Sequence, residues 1–173
     1  MERVAKETIY AFLTEVGRRH QKAADLYLIG GSALCLLDNP RPTLDIDYVG
    51  NDLQKDELQH VIDEVAHEMR LEVDAVPIGG FVPLASEAEE RRVFIGQFSS
   101  LQVYIFDPYA IALSKVDRGF DTDVEDILFL IRRGDVDFLE LEKLVFMALE
   151  QAALFGLDSK AVLNHLQIVR SFL

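Results

Sequence analysis

The spacing of apolar residues predicts a helix, a glycine turn and two short strands in the first fifty residues. Apolar side chains recur at intervals of three and four over residues 3–19, which predicts an amphipathic helix. Residues 26–30 are almost continuously apolar, as expected of a strand that is buried on both faces. Gly30-Gly31 interrupts this pattern, so we expect a short helix next and then a second strand at residues 44–49.

The rest of the chain predicts three more strands and a helical C-terminal part. The predicted elements are a helix at 53–70, strands at 71–76, 92–98 and 101–106, a loop or short helix at 81–91, and helices at 108–117, 122–133, 138–153 and 159–172. This order predicts an α+β fold in which helices flank a mixed sheet. We expect a core domain at residues 1–106 and a helical lobe at 107–173. Because no Pro- or Ser-rich linker separates the two, we expect the lobe to pack on the core.

Composition and charge narrow the class of protein. Half of the residues are apolar and 27% are charged, which is typical of a globular protein. With a net charge of −13, the chain lacks the broad basic surface of a general nucleic-acid binder. This acidity does not exclude a small nucleotide that binds in a local pocket. No apolar run is long enough to span a membrane, and the N-terminus lacks a signal peptide's apolar stretch. The single cysteine excludes an intramolecular disulfide, so we predict a cytoplasmic protein.

The second strand carries two carboxylates, Asp45 and Asp47, with one residue between them. Side chains alternate along a strand, so both point to the same face, where their charges repel each other. A cation between them removes this repulsion, and carboxylate oxygens suit a hard cation such as Mg²⁺. The competing interpretation is an edge strand with two solvent-facing acids. We favour the metal site because the turn at Gly30-Gly31-Ser32 precedes this strand.

A third carboxylate is expected from a neighbouring strand, since two-metal phosphoryl chemistry uses several carboxylates. Asp74 is the first candidate because it lies near the end of the predicted strand at 71–76. Glu72 has the same strand parity and is the fallback. Asp107 is a weaker rival, because it precedes Pro108 and is explained as a helix N-cap.

The turn at Gly30-Gly31-Ser32 has the features of a phosphate-binding loop. Glycines let the backbone approach an anion closely, the first N–H groups of the following helix point at it, and a serine hydroxyl adds a donor. Neither this turn nor the pair of aspartates is specific by itself. The strand, turn and helix, followed after twelve residues by Asp45-Ile-Asp47, are together much more specific.

Residues 26–49 resemble the core motif of the nucleotidyltransferase superfamily, the fold shared by DNA polymerase beta and the kanamycin nucleotidyltransferases. The chain is most similar to small prokaryotic members, some of which are the toxins of abortive-infection type toxin–antitoxin pairs. Arg41-Pro-Thr-Leu-Asp-Ile-Asp47 resembles their Arg-x-Thr-x-Asp-apolar-Asp run, and residues 107–126 resemble their looser Lys-x-x-Arg…Asp-x-x-Asp segment.

The resemblance implies a role for each matching residue. Asp45 and Asp47 would bind Mg²⁺, and Gly30, Gly31 and Ser32 would hold the triphosphate of a nucleoside triphosphate. Lys115 would reach a phosphate, against the plainer interpretation of a solvated helix face. Asp123 and Asp126 are carried over less directly, because acidic residues at a helix start are explained by the helix dipole. The assignment of Asp74 as the third metal ligand and as the base that activates the attacking group rests on strand parity rather than on the motif.

Three functions remain open from the sequence. The first is a Mg²⁺-dependent nucleotidyltransferase that moves a nucleoside monophosphate to an acceptor, within a toxin–antitoxin system as the resemblance implies. The second is a catalytically inactive protein of the same fold that binds a nucleotide or an antitoxin-like protein partner. The third is an acidic metal-binding or scaffold protein. The acidity disfavours an extended nucleic-acid acceptor, whereas a small molecule, a protein hydroxyl or a short RNA end stays open.

Overall fold

The structure is a computed structural model that describes residues 4–173. The N-terminal helix is Lys6–Arg19 (α1); its predicted start at residue 3 lies outside the described residues. The strands are Ala24–Leu28 (β1), Ile46–Val49 (β2), Val73–Val76 (β3), Val93–Phe98 (β4) and Leu101–Ile105 (β5). The other α-helices are Gly30–Leu36 (α2), Glu57–Met69 (α3), Pro108–Arg118 (α4), Asp121–Arg133 (α5), Phe138–Leu149 (α6), Ala152–Phe155 (α7) and Ser159–Arg170 (α8).

The five strands form one mixed sheet in the order β3-β2-β1-β5-β4. Neighbouring pairs β1–β5 and β2–β3 are parallel, while β1–β2 and β4–β5 are antiparallel. The predicted α+β class, with helices flanking a mixed sheet and a helical C-terminal part, is confirmed. Among the helices at residues 4–173, none is long and apolar enough to cross a bilayer.

The two faces of the sheet differ in burial, and this difference positions the site. Leu28 of β1 lies opposite Tyr48 of β2, so these two side chains share one face, and both are almost fully buried. The same face is apolar along β5, where Leu101, Val103 and Ile105 are completely buried. The opposite face carries the alternate residues, including the aspartates of β2 and β3, which are more exposed.

The described chain divides into two compact units. One comprises the residues up to Pro77 together with Arg92–Phe106, and the other comprises Ile78–Arg91 and Asp107–Leu173. Residues 78–91, assigned above to the core, therefore group with the C-terminal helices. One contact between this segment and the C-terminal helices is made by Arg91, whose guanidinium donates to both oxygens of the buried Asp107 at 2.9 and 2.6 Å. The packing of the two predicted domains on each other stays a prediction.

The structure decides two local predictions. Residues 78–80 form a short 3₁₀ helix and turns follow to residue 91, so a loop, one of the two expected alternatives, occupies residues 81–91. The predicted helix at 138–153 is two helices, because α6 ends at Leu149 and α7 begins at Ala152. Gln151 adopts a φ of −110° and a ψ of 15° outside the helical region, at a point where the sequence has neither Gly nor Pro.

Candidate active site

Three carboxylates, those of Asp45, Asp47 and Asp74, come together at the edge where β2 pairs with β3. One oxygen from each lies within 4.8 Å of the oxygens of the other two. Asp45 and Asp47 are half-buried, whereas Asp74 is exposed. Within residues 4–173 this is the acidic cluster that could hold a metal ion. The structure thus brings together the three acids named from the sequence.

The pairing of the two strands explains why these acids meet. β2 and β3 are parallel, and Asp47 lies directly opposite Asp74 in their register. Ile46 and Tyr48, the neighbours of Asp47, point to the buried face, so Asp47 must point to the other. Glu72, the fallback candidate, precedes β3 and is exposed, and its carbonyl accepts a hydrogen bond from the N–H of Ile46 at 2.9 Å.

Gly30 brings the turn after β1 into direct contact with the carboxylate of Asp47. Its φ is +63°, in the left-handed region that favours glycine. A Cβ added at this position would lie 1.9 Å from Oδ2 of Asp47, closer than any two such atoms can approach. The first glycine of the motif therefore leaves space for the second aspartate, which links the two halves of the sequence pattern physically.

Gly31 plays the same part toward Thr43. A Cβ at Gly31 would lie 2.5 Å from the Thr43 hydroxyl oxygen. Thr43 is buried, and its hydroxyl donates to Oδ1 of Asp45 at 3.1 Å. Thr43 was not singled out from the sequence as a positioning residue. Its place two residues before Asp45, on the same side of an extended chain, is the signal that could have found it.

Ser32 joins α2 to β2 through a hydroxyl that is completely buried. Its oxygen accepts a hydrogen bond from the N–H of Asp47 at 3.2 Å. The same hydroxyl lies 2.9 Å from the carbonyl of Ile29 and 3.3 Å from that of Asp47, and its single proton serves one of them at a time. The side chain thus fixes the backbone of Asp47. Its predicted contact with a phosphate stays a prediction.

Lys115 lies within the helical unit, where its ammonium is enclosed by carboxylates. Its Nζ is 2.7 Å from Asp126 and 3.3 Å from Asp123, and all three side chains are nearly fully buried. Arg118 donates to both oxygens of Asp123 at 2.6 and 3.2 Å. The second motif therefore forms an ion-pair network between α4 and α5. The predicted contact of Lys115 with a phosphate stays a prediction.

Asp107, the weaker rival for the third acid, has a structural role. Its carboxylate accepts from the N–H of Tyr109 at 3.0 Å, so it caps α4 as expected from the sequence. The same carboxylate binds the guanidinium of Arg91, which also lies over the Tyr109 ring at 4.7 Å from its centroid. The hydrogen bond to Asp107 raises the pKa of Arg91 by more than burial of the guanidinium lowers it.

Comparison with known proteins gives a family match along almost the whole chain. The sequence model of a family described as "Nucleotidyltransferase of unknown function (DUF6036)" matches residues 7–170. This range includes the glycine turn, all three clustered carboxylates and the ion-pair network of α4 and α5. No significant match was found among curated proteins or among solved structures.

Proposed function

This chain belongs to the DUF6036 family of nucleotidyltransferases, and from that membership we propose a Mg²⁺-dependent reaction at the acidic triad. The protein moves a nucleoside monophosphate from a nucleoside triphosphate to an acceptor that carries a nucleophile. The observation that carries this proposal is the convergence of Asp45, Asp47 and Asp74 beside the glycine turn. The toxin–antitoxin setting rests only on the resemblance of residues 41–47 and 107–126.

The donor set of the triad fits magnesium. It offers oxygen ligands only, and three acidic side chains with oxygens within 4.8 Å of one another concentrate negative charge that a divalent cation offsets. Asp45, Asp47 and Asp74 would hold the metal. When bound, Mg²⁺ would supply positive charge beside the reacting phosphate and its leaving group.

The chain's own residues divide the remaining work. Asp45 and Asp47 are fixed by Thr43, Gly30 and Ser32, so their carboxylates are preorganised. Asp74 is the exposed member of the triad, so an acceptor can reach it. We assign Asp74 as the general base that accepts the proton of the attacking hydroxyl group. The acceptor oxygen bonds to the α-phosphorus, the bond to the bridging oxygen breaks, and pyrophosphate leaves. The backbone N–H groups of Gly31 and Ser32, at the start of α2, hold the triphosphate.

An inactive nucleotide-binding protein of the same fold is the second candidate, and one observation favours it. The Ser32 hydroxyl and the Lys115 ammonium, which are the two side-chain donors expected at the phosphates, are engaged by other groups. A site with these donors committed elsewhere has fewer contacts with which to stabilise the charge that develops in phosphoryl transfer. Binding needs less of that stabilisation than turnover does.

A labelling assay distinguishes the two candidates. Purified protein is incubated with Mg²⁺ and each of the four α-labelled nucleoside triphosphates on cell extract. The wild type is compared with the Asp45→Asn/Asp47→Asn double variant. The Asp52→Asn/Asp63→Asn variant is the control for charge, because both of its carboxylates bind Lys55 at the surface. Transfer of label by the wild type and the control, but not by the triad variant, supports catalysis.

Equal labelling by all three proteins rejects catalysis. The melting temperature is then measured with Mg²⁺ and a non-hydrolysable triphosphate. An increase in the wild type that the triad variant lacks supports the nucleotide-binding protein, since a ligand that binds only the folded state stabilises it. No increase in either protein rejects both candidates.

A further inference from the structure

A row of aromatic side chains crosses three strands of the sheet and ends at an exposed edge. Tyr27 of β1 lies opposite Tyr104 of β5, which in turn lies opposite Phe94 of β4. The rings of Tyr27 and Tyr104 are stacked, with centroids 5.4 Å apart and planes 21° apart. Phe94 is 5.4 Å from Tyr104 in a tilted arrangement. We call these three residues the aromatic row.

The aromatic row lies on the same face of the sheet as the acidic triad. Leu28 and Tyr48 are opposite each other and share the buried face, so Tyr27 and Asp47 both point to the other face. The registers of β1 with β5 and of β2 with β3 extend this face to Tyr104 and Asp74. The N–H of Ile29, which directly follows β1, donates to the carbonyl of Asp47 at 3.0 Å, which joins the two regions.

Arg92 places a cation on this row. Its guanidinium lies 4.6 Å from the Tyr104 ring centroid and donates to the Tyr27 hydroxyl at 2.8 Å. The Arg92 side chain is exposed, and Phe94 beside it is 57% exposed. The contact with the Tyr104 ring and the hydrogen bond to Tyr27 thus hold an exposed cation on one face of a chain with a net charge of −13.

Packing of the sheet does not account for the exposed end of the row. Cross-strand aromatic pairs stabilise a sheet, and the pair of Tyr27 with Tyr104 is explained in this way. Phe94, however, stands on β4 at the edge of the sheet with more than half of its surface in water. Exposed apolar surface on an edge strand favours aggregation unless something covers it.

We propose that the aromatic row and Arg92 bind a nucleotide, with its base stacked on Phe94 and its phosphate on the Arg92 guanidinium. Aromatic rings stack on any base, and a guanidinium matches a phosphate. This inference rests on the proposed function for the identity of the reaction, and it names the substrate class on the same sheet face. The nucleotide is the terminal part of a short RNA-like acceptor, because Phe94 lies three strands, about 14 Å, across the sheet from β2, and the base of a triphosphate held at the triad does not reach that far.

The geometry of the sheet gives the span between the two regions. Ile29 lies opposite Asp47, and Tyr27 precedes Ile29 by two residues. Tyr27 is therefore about 7 Å along the strand from the position opposite Asp47. Phe94 lies two strands further across, about 10 Å from Tyr27. The row therefore begins close to the triad and leads away from it. A ligand that stacks on Phe94 while it reacts at the triad must be extended across the sheet.

A tryptophan reporter tests stacking directly, because the chain has no tryptophan. Phe94→Trp keeps a flat ring in the row, and Phe172→Trp places the same reporter at an equally exposed position near the C-terminus, where the phenylalanine is 62% exposed. The probes are a non-hydrolysable triphosphate with Mg²⁺ and, separately, an unlabelled trinucleotide RNA. Saturable quenching by the trinucleotide at position 94 but not at 172 is expected. Equal quenching at both positions, or none at 94, overturns the proposal.

Affinity measurements identify the source of the nucleotide. Phe94→Ala/Arg92→Gln is compared with Phe172→Ala/Arg18→Gln, whose Arg18 is an exposed arginine on α1. Loss of one stacking contact and one phosphate contact should weaken binding about ten-fold or more. Weaker binding of the trinucleotide supports the proposal, whereas a loss confined to the triphosphate assigns the row to the incoming base and overturns it. Unchanged affinity for both ligands overturns the proposal.

The Asp45→Asn/Asp47→Asn variant separates this inference from the proposed function. Trinucleotide binding that is lost in the row variant but kept in the triad variant supports the row, whatever the labelling assay shows. If the wild type and the Phe94→Ala/Arg92→Gln variant both transfer label, and their KM values for both substrates are the same, the proposed function stands and this inference fails.

Discussion

At the residue scale, two glycines decide whether the carboxylates can take up their arrangement. Gly30 and Gly31 are required less for flexibility than for the space that a hydrogen leaves in place of a methyl group. The missing Cβ atoms would meet Asp47 and Thr43 at 1.9 and 2.5 Å. The two glycines and the two aspartates are thus packed against each other and form one site. For this reason a Gly-Gly turn or an Asp-x-Asp strand alone is weak evidence for such a site.

Replacing Gly30 by alanine should therefore abolish binding of metal and nucleotide. Gly156→Ala is the matched control, because Gly156 has a similar φ of +70° and no atom lies within 4 Å of its added Cβ. Both variants should lose about 1 kcal/mol from the left-handed backbone. Only Gly30→Ala should also lose the increase in melting temperature that Mg²⁺ and a non-hydrolysable triphosphate give. An equal ligand-induced increase in both variants would show that Asp47 tolerates displacement.

At the element scale, the order of strands and helices followed from the sequence, and so did the parity of the strand residues. Asp74 was chosen as an acid near the end of a neighbouring strand, by strand parity, and the register of β3 places it opposite Asp47. Hydrophobic period and turn residues determine such features locally. The end of α6 at Leu149 was missed because neither Gly nor Pro marks it.

The surroundings of Lys115 could not be predicted, since they depend on how α4 packs against α5. A lysine in the last turn of an amphipathic helix is usually solvated, and its sequence neighbours do not show that Asp126, eleven positions later, lies 2.7 Å from its ammonium. Tertiary packing alone makes it a buried ion pair. The resemblance of residues 107–126 to a family motif therefore identified Lys115, Asp123 and Asp126 but did not reveal that they form a buried ion-pair network.

Removing the charge of Lys115 should destabilise the helical unit. Lys115→Met removes the buried ammonium that pairs with Asp126 and Asp123, at a cost of about 3 kcal/mol in the free energy of unfolding. Lys115→Met/Asp126→Asn should recover part of the loss. Lys143→Met, which breaks an exposed pair with Glu140, should cost less than about 1 kcal/mol. Urea unfolding measures all three, and equal values for positions 115 and 143 would contradict the network.

The same network should make stability depend on pH in the acid range. Burial raises the pKa of Asp123, but the hydrogen bond from Arg118 and the charges of Lys115 and Arg118 lower it more, so the pKa lies below the ordinary 3.8. A lowered pKa in the folded state contributes stability above the unfolded pKa, and this contribution is lost as the pH falls through the folded value. Asp123→Asn should therefore flatten the loss of stability below about pH 4. Asp121→Asn, in the first turn of the same helix, controls for the change in net charge.

At the scale of the whole molecule, acidic residues outnumber basic ones, 30 against 17. Many of the basic side chains lie in ion pairs with neighbouring carboxylates, among them Lys6, Arg19, Lys22, Lys55, Arg91, Lys115 and Arg170. The long-range field that an anionic substrate meets is therefore negative. Recognition of its phosphates must come from the metal, the glycine turn and single cations such as Arg92.

This charge distribution predicts an unusual response to salt. Proteins that bind nucleic acid through many phosphate contacts lose affinity steeply as salt rises, because counterions are released, with a slope of about −0.7 per phosphate for single strands. Here one arginine faces the proposed ligand, while screening weakens the repulsion from the net charge of −13. At fixed free Mg²⁺, the affinity for the triphosphate and for a trinucleotide should change little between about 50 and 200 mM salt. Titrations across this range measure the slope, and a loss of ten-fold or more would mean that a wider basic surface binds the phosphates.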